Sequence, residues 1–106
     1  MHAELEKDKK LIEIVSRLKA HFKPEKIFLF GSRVNGSSTA DSDYDLLMVV
    51  KESDKDPRGR MREASEVLWG RTVSVDVFVY TEAEFNELKD EFSSIAHTAV
   101  TEGVEL

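Results

Sequence analysis

The 106-residue sequence contains no cysteine. Disulfides, thiolate catalysis and a cysteine zinc site are thereby excluded, and a reducing, cytoplasmic setting is the expected one. No apolar run approaches the length that crosses a bilayer, so no membrane association is expected. The first ten residues, Met1 to Lys10, are charged from the start and lack the apolar core of a secretory signal. Basic residues are in the minority. Fifteen Lys and Arg against 21 Asp and Glu leave a net charge of −6, which argues against non-specific nucleic-acid binding through a broad basic surface. No internal repeat, linker or low-complexity segment is visible. What remains is a 41% hydrophobic, 34% charged chain of one domain, residues 1–106, long enough for a core but without room for a second substrate-binding module.

Apolar residues at Leu11, Ile14, Val15, Leu18 and Phe22 recur at helical spacing, predicting a helix over roughly Ala3 to Phe22. Lys23-Pro24-Glu25 breaks it, because proline cannot continue the hydrogen-bond ladder. Lys26 to Phe30 reads as a short buried strand ending at Gly31, followed by a short helix from Ser32 to about Gly36 and a polar loop, Ser37 to Ser42. Tyr44 to Lys51 is a second strand. Asp56 and Pro57 open a second long helix carrying Met61, Ala64, Val67 and Leu68 on one side, with Gly70 ending it. Thr72 to Tyr80 is a third strand with Val73, Val75, Val77 and Val79 on one face. Thr81 to Glu84 matches a capping box for a helix through Leu88, and Ser93 or Ser94 caps a last helix closed by Gly103. The order α-β-α-β-α-β-α-α predicts an α/β domain, a small mixed sheet with helices packed on it.

The chemistry concentrates in three places. Gly31-Ser32 ends a strand, where bare backbone amides can face a phosphate. Ten residues later, Asp43-Tyr44-Asp45 leads into the next strand. Alternation sends Asp43 and Asp45 to one face about 6.5 Å apart, a spacing at which two carboxylates can share a divalent cation. Asp76, 31 positions after Asp45, interrupts a valine-rich strand, where an unpaired buried carboxylate is costly. A third acid on a neighbouring strand completes an all-oxygen site suited to Mg²⁺. Phosphate cradle plus acidic metal site reads as phosphoryl or nucleotidyl transfer.

Two rival motifs fail on single residues. Asp41 to Glu52 mimics a calcium loop, but its sixth position is Leu46 where Gly is needed, and the run to Val50 is apolar. Gly31 to Ser38 mimics a Walker A loop, but Ser37 stands where the phosphate-binding lysine belongs. His2, His21 and His97 share no spacing with one another or with the aspartates and are read as solvent or packing residues. Asp41 is read as a solvated loop acid, and Trp69 and Tyr80 as core aromatics.

Together, Gly31-Ser32, Arg33, Gly36, Ser42-Asp43-Tyr44-Asp45-Leu46 and Val75-Asp76-Val77 resemble the signature of minimal nucleotidyltransferases of the DNA polymerase beta-like superfamily. The terminal Glu102-Gly103-Val104-x-Leu106 is similar as well. The resemblance implies the polymerase beta-like fold, with Asp43 and Asp45 bridging two Mg²⁺ ions and Asp76 holding one of them beside the attacking hydroxyl. It implies that Ser32, with the amide around Gly31, binds the terminal phosphates of ATP, that Arg33 adds positive charge there, and that Gly36 serves a backbone turn or simply a helix end. The implied reaction is transfer of AMP from ATP to a hydroxyl. Members of this family are commonly paired with a small helical HEPN-type toxin, acting as antitoxins that adenylylate a tyrosine of the partner. Two alternatives stand beside this: a non-catalytic antitoxin that neutralises a HEPN partner by contact, and nucleotidyl transfer to a small molecule, which the lack of a second substrate domain disfavours.

Overall fold

The computed structural model describes residues 8–35, 43–70 and 74–106. Among these residues four strands form one mixed sheet in the order β3-β2-β1-β4. They are β1 (Lys26–Phe30), β2 (Tyr44–Val50), β3 (Val75–Thr81) and β4 (Val104–Glu105). The helices are α1 (Lys9–Phe22), α2 (Ser32–Asn35), α3 (Pro57–Val67), α4 (Glu82–Leu88) and α5 (Ile95–Glu102). β1 runs antiparallel to both β2 and β4, while β2 and β3 are parallel and joined through α3.

Each element follows from local chemistry. The first helix opens at Lys9, where extended Asp8 caps it and accepts the Leu11 amide at 3.1 Å, and the expected stretch from Ala3 to Lys7 lies outside the described residues. Asp56 accepts the Gly59 amide and Pro57 sits inside the first turn of α3. Both hydrogen bonds of the capping box at Thr81 and Glu84 are present, and Ser94, not Ser93, caps α5. β4 is an addition to the expected order. Its two residues pair with Leu29 and Phe28, and the Leu106 amide donates to the Ile27 carbonyl at 2.8 Å. So short a strand carries no periodicity to read. Residues 1–7, the loop to Ser42 with Gly36 and Asp41, and Thr72 and Val73 lie outside the described residues.

Strand alternation splits the core in two. On one side Ile27, Leu29, Tyr44, Leu46, Met48, Val77 and Val79 pack beneath α1 and α3 with Leu11, Ile14, Leu18 and Ala64. On the other side Phe28, Phe30, Leu47 and Val49 meet Phe85, Ala96 and Ala99 from α4 and α5. Each fully buried aliphatic side chain contributes about 2 kcal/mol, so β2, apolar on both faces, is the best anchored strand. Among the described residues no helix is long and apolar enough to cross a membrane. Trp69, expected in the core, is instead 85% exposed just past the end of α3. Leu68, one position earlier, fills the core position at that turn.

Among the described residues Arg60 is the one charged side chain in the interior, 5% exposed. It donates to the carbonyls of Val79 and Lys55 at 2.9 Å and pairs with Glu84 at 2.7 and 3.1 Å, tying α3 to β3 and to the cap of α4. The Arg60 guanidinium holds the Glu84 carboxyl below its usual range. A depressed carboxylate stabilises the fold at neutral pH, and that stabilisation is lost as acid protonates it. Arg60→Met is therefore expected to cost about 2 kcal/mol by urea denaturation at pH 7. The gap from wild type should narrow once the pH falls below the ordinary carboxylate range.

Candidate active site

β1 ends at Phe30, whose register partner across the antiparallel pair is Asp45. Asp45 in turn sits level with Asp76 across the parallel pair. Register partners on adjacent strands lie about 4.8 Å apart with side chains on the same face. The two acids thus stand side by side at one end of the sheet, on the face covered further along by α4 and α5. Phe30 and Phe78, with ring centroids 6.2 Å apart, lie on that same face. Asp43 precedes β2 and is exposed. Asp76 is exposed too, so it does not carry the penalty of a buried acid that a valine-rich strand suggested. Its neighbours Val75, Val77 and Val79 face the other layer.

Asp45 is the half-buried member of the group. Burial raises its pKa above the ordinary aspartate value, and the charges of Asp76 and then Asp43 raise it further. Like charges directly opposite on a sheet destabilise it by on the order of 0.5 kcal/mol, so these residues are not placed there by stability. Among the described residues, no three His, Cys, Asp or Glu side chains converge closely enough to enclose a metal ion. Asp45 and Asp76 share a face, and Asp43 shares their electrostatic field, without the three closing on one point. As a donor set they are all oxygen, which suits a hard cation such as Mg²⁺.

The turn after β1 adds a second constraint. Gly31 has φ +80°, and the Val34 amide donates to its carbonyl at 3.0 Å as α2 begins. A Cβ at Gly31 would collide with Oδ2 of Asp45. Glycine is thus required twice, for the left-handed backbone and for the space beside the carboxylate. Gly31 thus lies directly against Asp45, the residue that pairs level with Asp76.

Arg33 goes elsewhere. Its guanidinium lies over the Tyr44 ring, 4.2 Å from the centroid. Tyr44 is 2% exposed, belongs to the layer under α1 and α3, and faces away from Asp45. Its hydroxyl donates to Oδ2 of Asp8 at 2.7 Å. Burial, with the Asp8 hydrogen bond, pushes the Tyr44 phenol up to about 12. The sequence gives no sign of the Tyr44–Asp8 contact, which joins residues 36 positions apart. Of the histidines, His21 pairs with Glu63 at 2.7 Å and His97 lies against Phe92. Tyr80 is half-buried against the second cluster.

Because the folded state raises the Asp45 pKa, folding favours its protonated form. The stability tied to Asp45 falls as pH rises from the ordinary aspartate value through the folded one. Asp45→Asn mimics the neutral form. Its melting temperature should exceed wild type at pH 8, and the difference should close toward about pH 4, near the ordinary aspartate value.

The model of the nucleotidyltransferase domain family matches residues 9–99 of this chain. A crystal structure from Sulfolobus solfataricus, provisionally assigned as a nucleotidyltransferase, is similar with a TM-score of 0.63 and 28% identity, covering 92% of this chain and 76% of that one. A toxin–antitoxin crystal structure with AMP-PNP is similar with a TM-score of 0.56 and 19% identity, covering 92% of this chain and 71% of that one, a likeness in fold alone. No curated protein matches the chain. The mixed sheet and its helices are the polymerase beta-like nucleotidyltransferase fold. With the match running from α1 through the Gly31 turn and all three aspartates into α5, this chain belongs to the nucleotidyltransferase domain family.

Proposed function

We propose that the chain transfers AMP from ATP to a hydroxyl, with Asp43, Asp45 and Asp76 holding two Mg²⁺ ions and the Gly31-Ser32 turn receiving the terminal phosphates. The observation that carries this is the level pairing of Asp45 with Asp76 directly beside a glycine that only an absent side chain keeps clear. The cations would supply charge neutralisation at the α-phosphate and at the departing pyrophosphate. The acceptor oxygen forms its bond to the α-phosphorus as the bond to the bridging oxygen of pyrophosphate breaks. Ser32 acts by hydrogen bonding and not as a nucleophile. No histidine stands near it in sequence to serve as its base, and His21 is engaged with Glu63.

The acceptor we propose is a tyrosine of a small HEPN-type toxin that this chain serves as antitoxin. The fold likeness to a toxin–antitoxin structure with AMP-PNP supports a nucleotide substrate and a protein partner. A second reading, neutralisation by contact alone, is favoured by Trp69 and Phe92, which are 85% and 88% exposed and suit a protein interface.

With a HEPN-type partner protein present, α-labelled ATP should label the partner and γ-labelled ATP should not. Asp43→Asn/Asp45→Asn should reduce labelling by at least about a hundredfold, because both changes remove charge that holds the cations. Label from the γ-position would overturn nucleotidyl transfer. A double variant that still neutralises the partner in full would establish the contact reading.

A further inference from the structure

The reading above leaves Tyr44 and Arg33 without a part in the reaction, although they lie in the middle of the signature. Tyr44 stands between Asp43 and Asp45, and alternation along the strand directs it to the opposite face. Holding its ring therefore settles which way both acids point, since a one-residue slip would exchange the faces. Three contacts hold it. The Tyr44 amide donates to the Ser74 carbonyl at 3.0 Å, securing the start of β2 against the start of β3 just ahead of the Asp45–Asp76 pair. Its hydroxyl donates at 2.7 Å to Oδ2 of Asp8, whose Oδ1 caps α1 through the Leu11 amide. The Arg33 guanidinium closes over the ring, 4.2 Å from its centroid. Arg33 immediately follows Ser32, so this last contact ties the Gly31-Ser32 turn to the strand that carries the acids.

On that reading of the site, we infer that Arg33 and Tyr44 are positioning residues. The Asp8–Tyr44–Arg33 stack clamps the Gly31-Ser32 turn and the Asp43/Asp45 strand into one rigid corner, and Arg33 acts through Tyr44 rather than on phosphate. A charge neutraliser for ATP belongs on the face of Asp45 and Asp76, whereas the guanidinium lies over a ring on the other face. The stack also spans three separate elements, joining the cap of α1 and the start of α2 to β2.

The test is a double-mutant cycle read on Mn²⁺ binding to the nucleotide-free chain by calorimetry, with melting temperatures and far-ultraviolet circular dichroism recorded for every variant. Arg33→Met and Tyr44→Leu should each weaken Mn²⁺ binding about fivefold, the scale of a partly desolvated cation–π contact. The double variant should bind no more weakly than the worse single one, since both changes break the same contact. Arg33→Lys, which keeps a cation over the ring, should restore binding to within about twofold of wild type. Tyr44→Phe keeps the ring and loses only the Asp8 bond, so it reports on the stack even if Tyr44→Leu does not fold.

An Arg33→Met chain with wild-type Mn²⁺ affinity but a raised KM for ATP would make Arg33 a phosphate ligand and overturn the clamp. Losses that add in the double variant, or that merely follow the melting temperature, would overturn it as well. Wild type that binds no Mn²⁺, or binds it equally after Asp45→Asn, would remove the metal site itself and the clamp with it. Wild-type binding that Asp45→Asn abolishes and Arg33→Met leaves intact would remove the clamp alone.

Discussion

The parallel pairing of β2 with β3 sets Asp45 beside Asp76, and the antiparallel pairing of β1 with β2 sets Asp45 against the Gly31 turn. Backbone hydrogen bonds fix those registers, and the apolar faces of β2 make any other register expensive. A slip of one residue would bury Asp45 among Leu46's neighbours and carry Tyr44, Leu46 and Met48 from the layer under α1 and α3 into the one shaped around Leu47 and Val49. The three acids are held near one another by a core that none of them belongs to.

That arrangement works against itself electrostatically. Asp45 is half-buried, next to two like charges, and its carboxyl is pushed toward the protonated form. Gly31 adopts a backbone conformation that side-chain-bearing residues avoid, with no room for a Cβ. A domain selected for stability alone would have neither feature. Both make sense where positive charge and phosphate are to be received, and both are offset by the two hydrophobic layers and by the Arg60–Glu84 tie at the other end of β3.

Much of this was legible from residue types. β-rich runs and helix caps placed the elements, because Asp56, Thr81 and Ser94 act within four residues of where they stand. The period of valines put Asp76 on the face opposite Val77. Other features were not legible. The level pairing of Asp45 with Asp76 depends on strand register, which local sequence does not encode. Arg33 sits in a motif whose neighbours suggest phosphate, yet it is drawn to Tyr44 by an aromatic ring eleven residues away and a face removed. Trp69 reads as a core residue by its size, but the helix turn gives the inward position to Leu68.

The measurement closest to the central claim is anomalous diffraction from a crystal of the chain grown with Mn²⁺ and a non-hydrolysable ATP analogue. The account predicts two manganese peaks at the carboxylates of Asp43, Asp45 and Asp76, with the terminal phosphates against Gly31 and Ser32. Nucleotide bound anywhere else, or manganese absent from those three carboxylates while nucleotide is present, would contradict it.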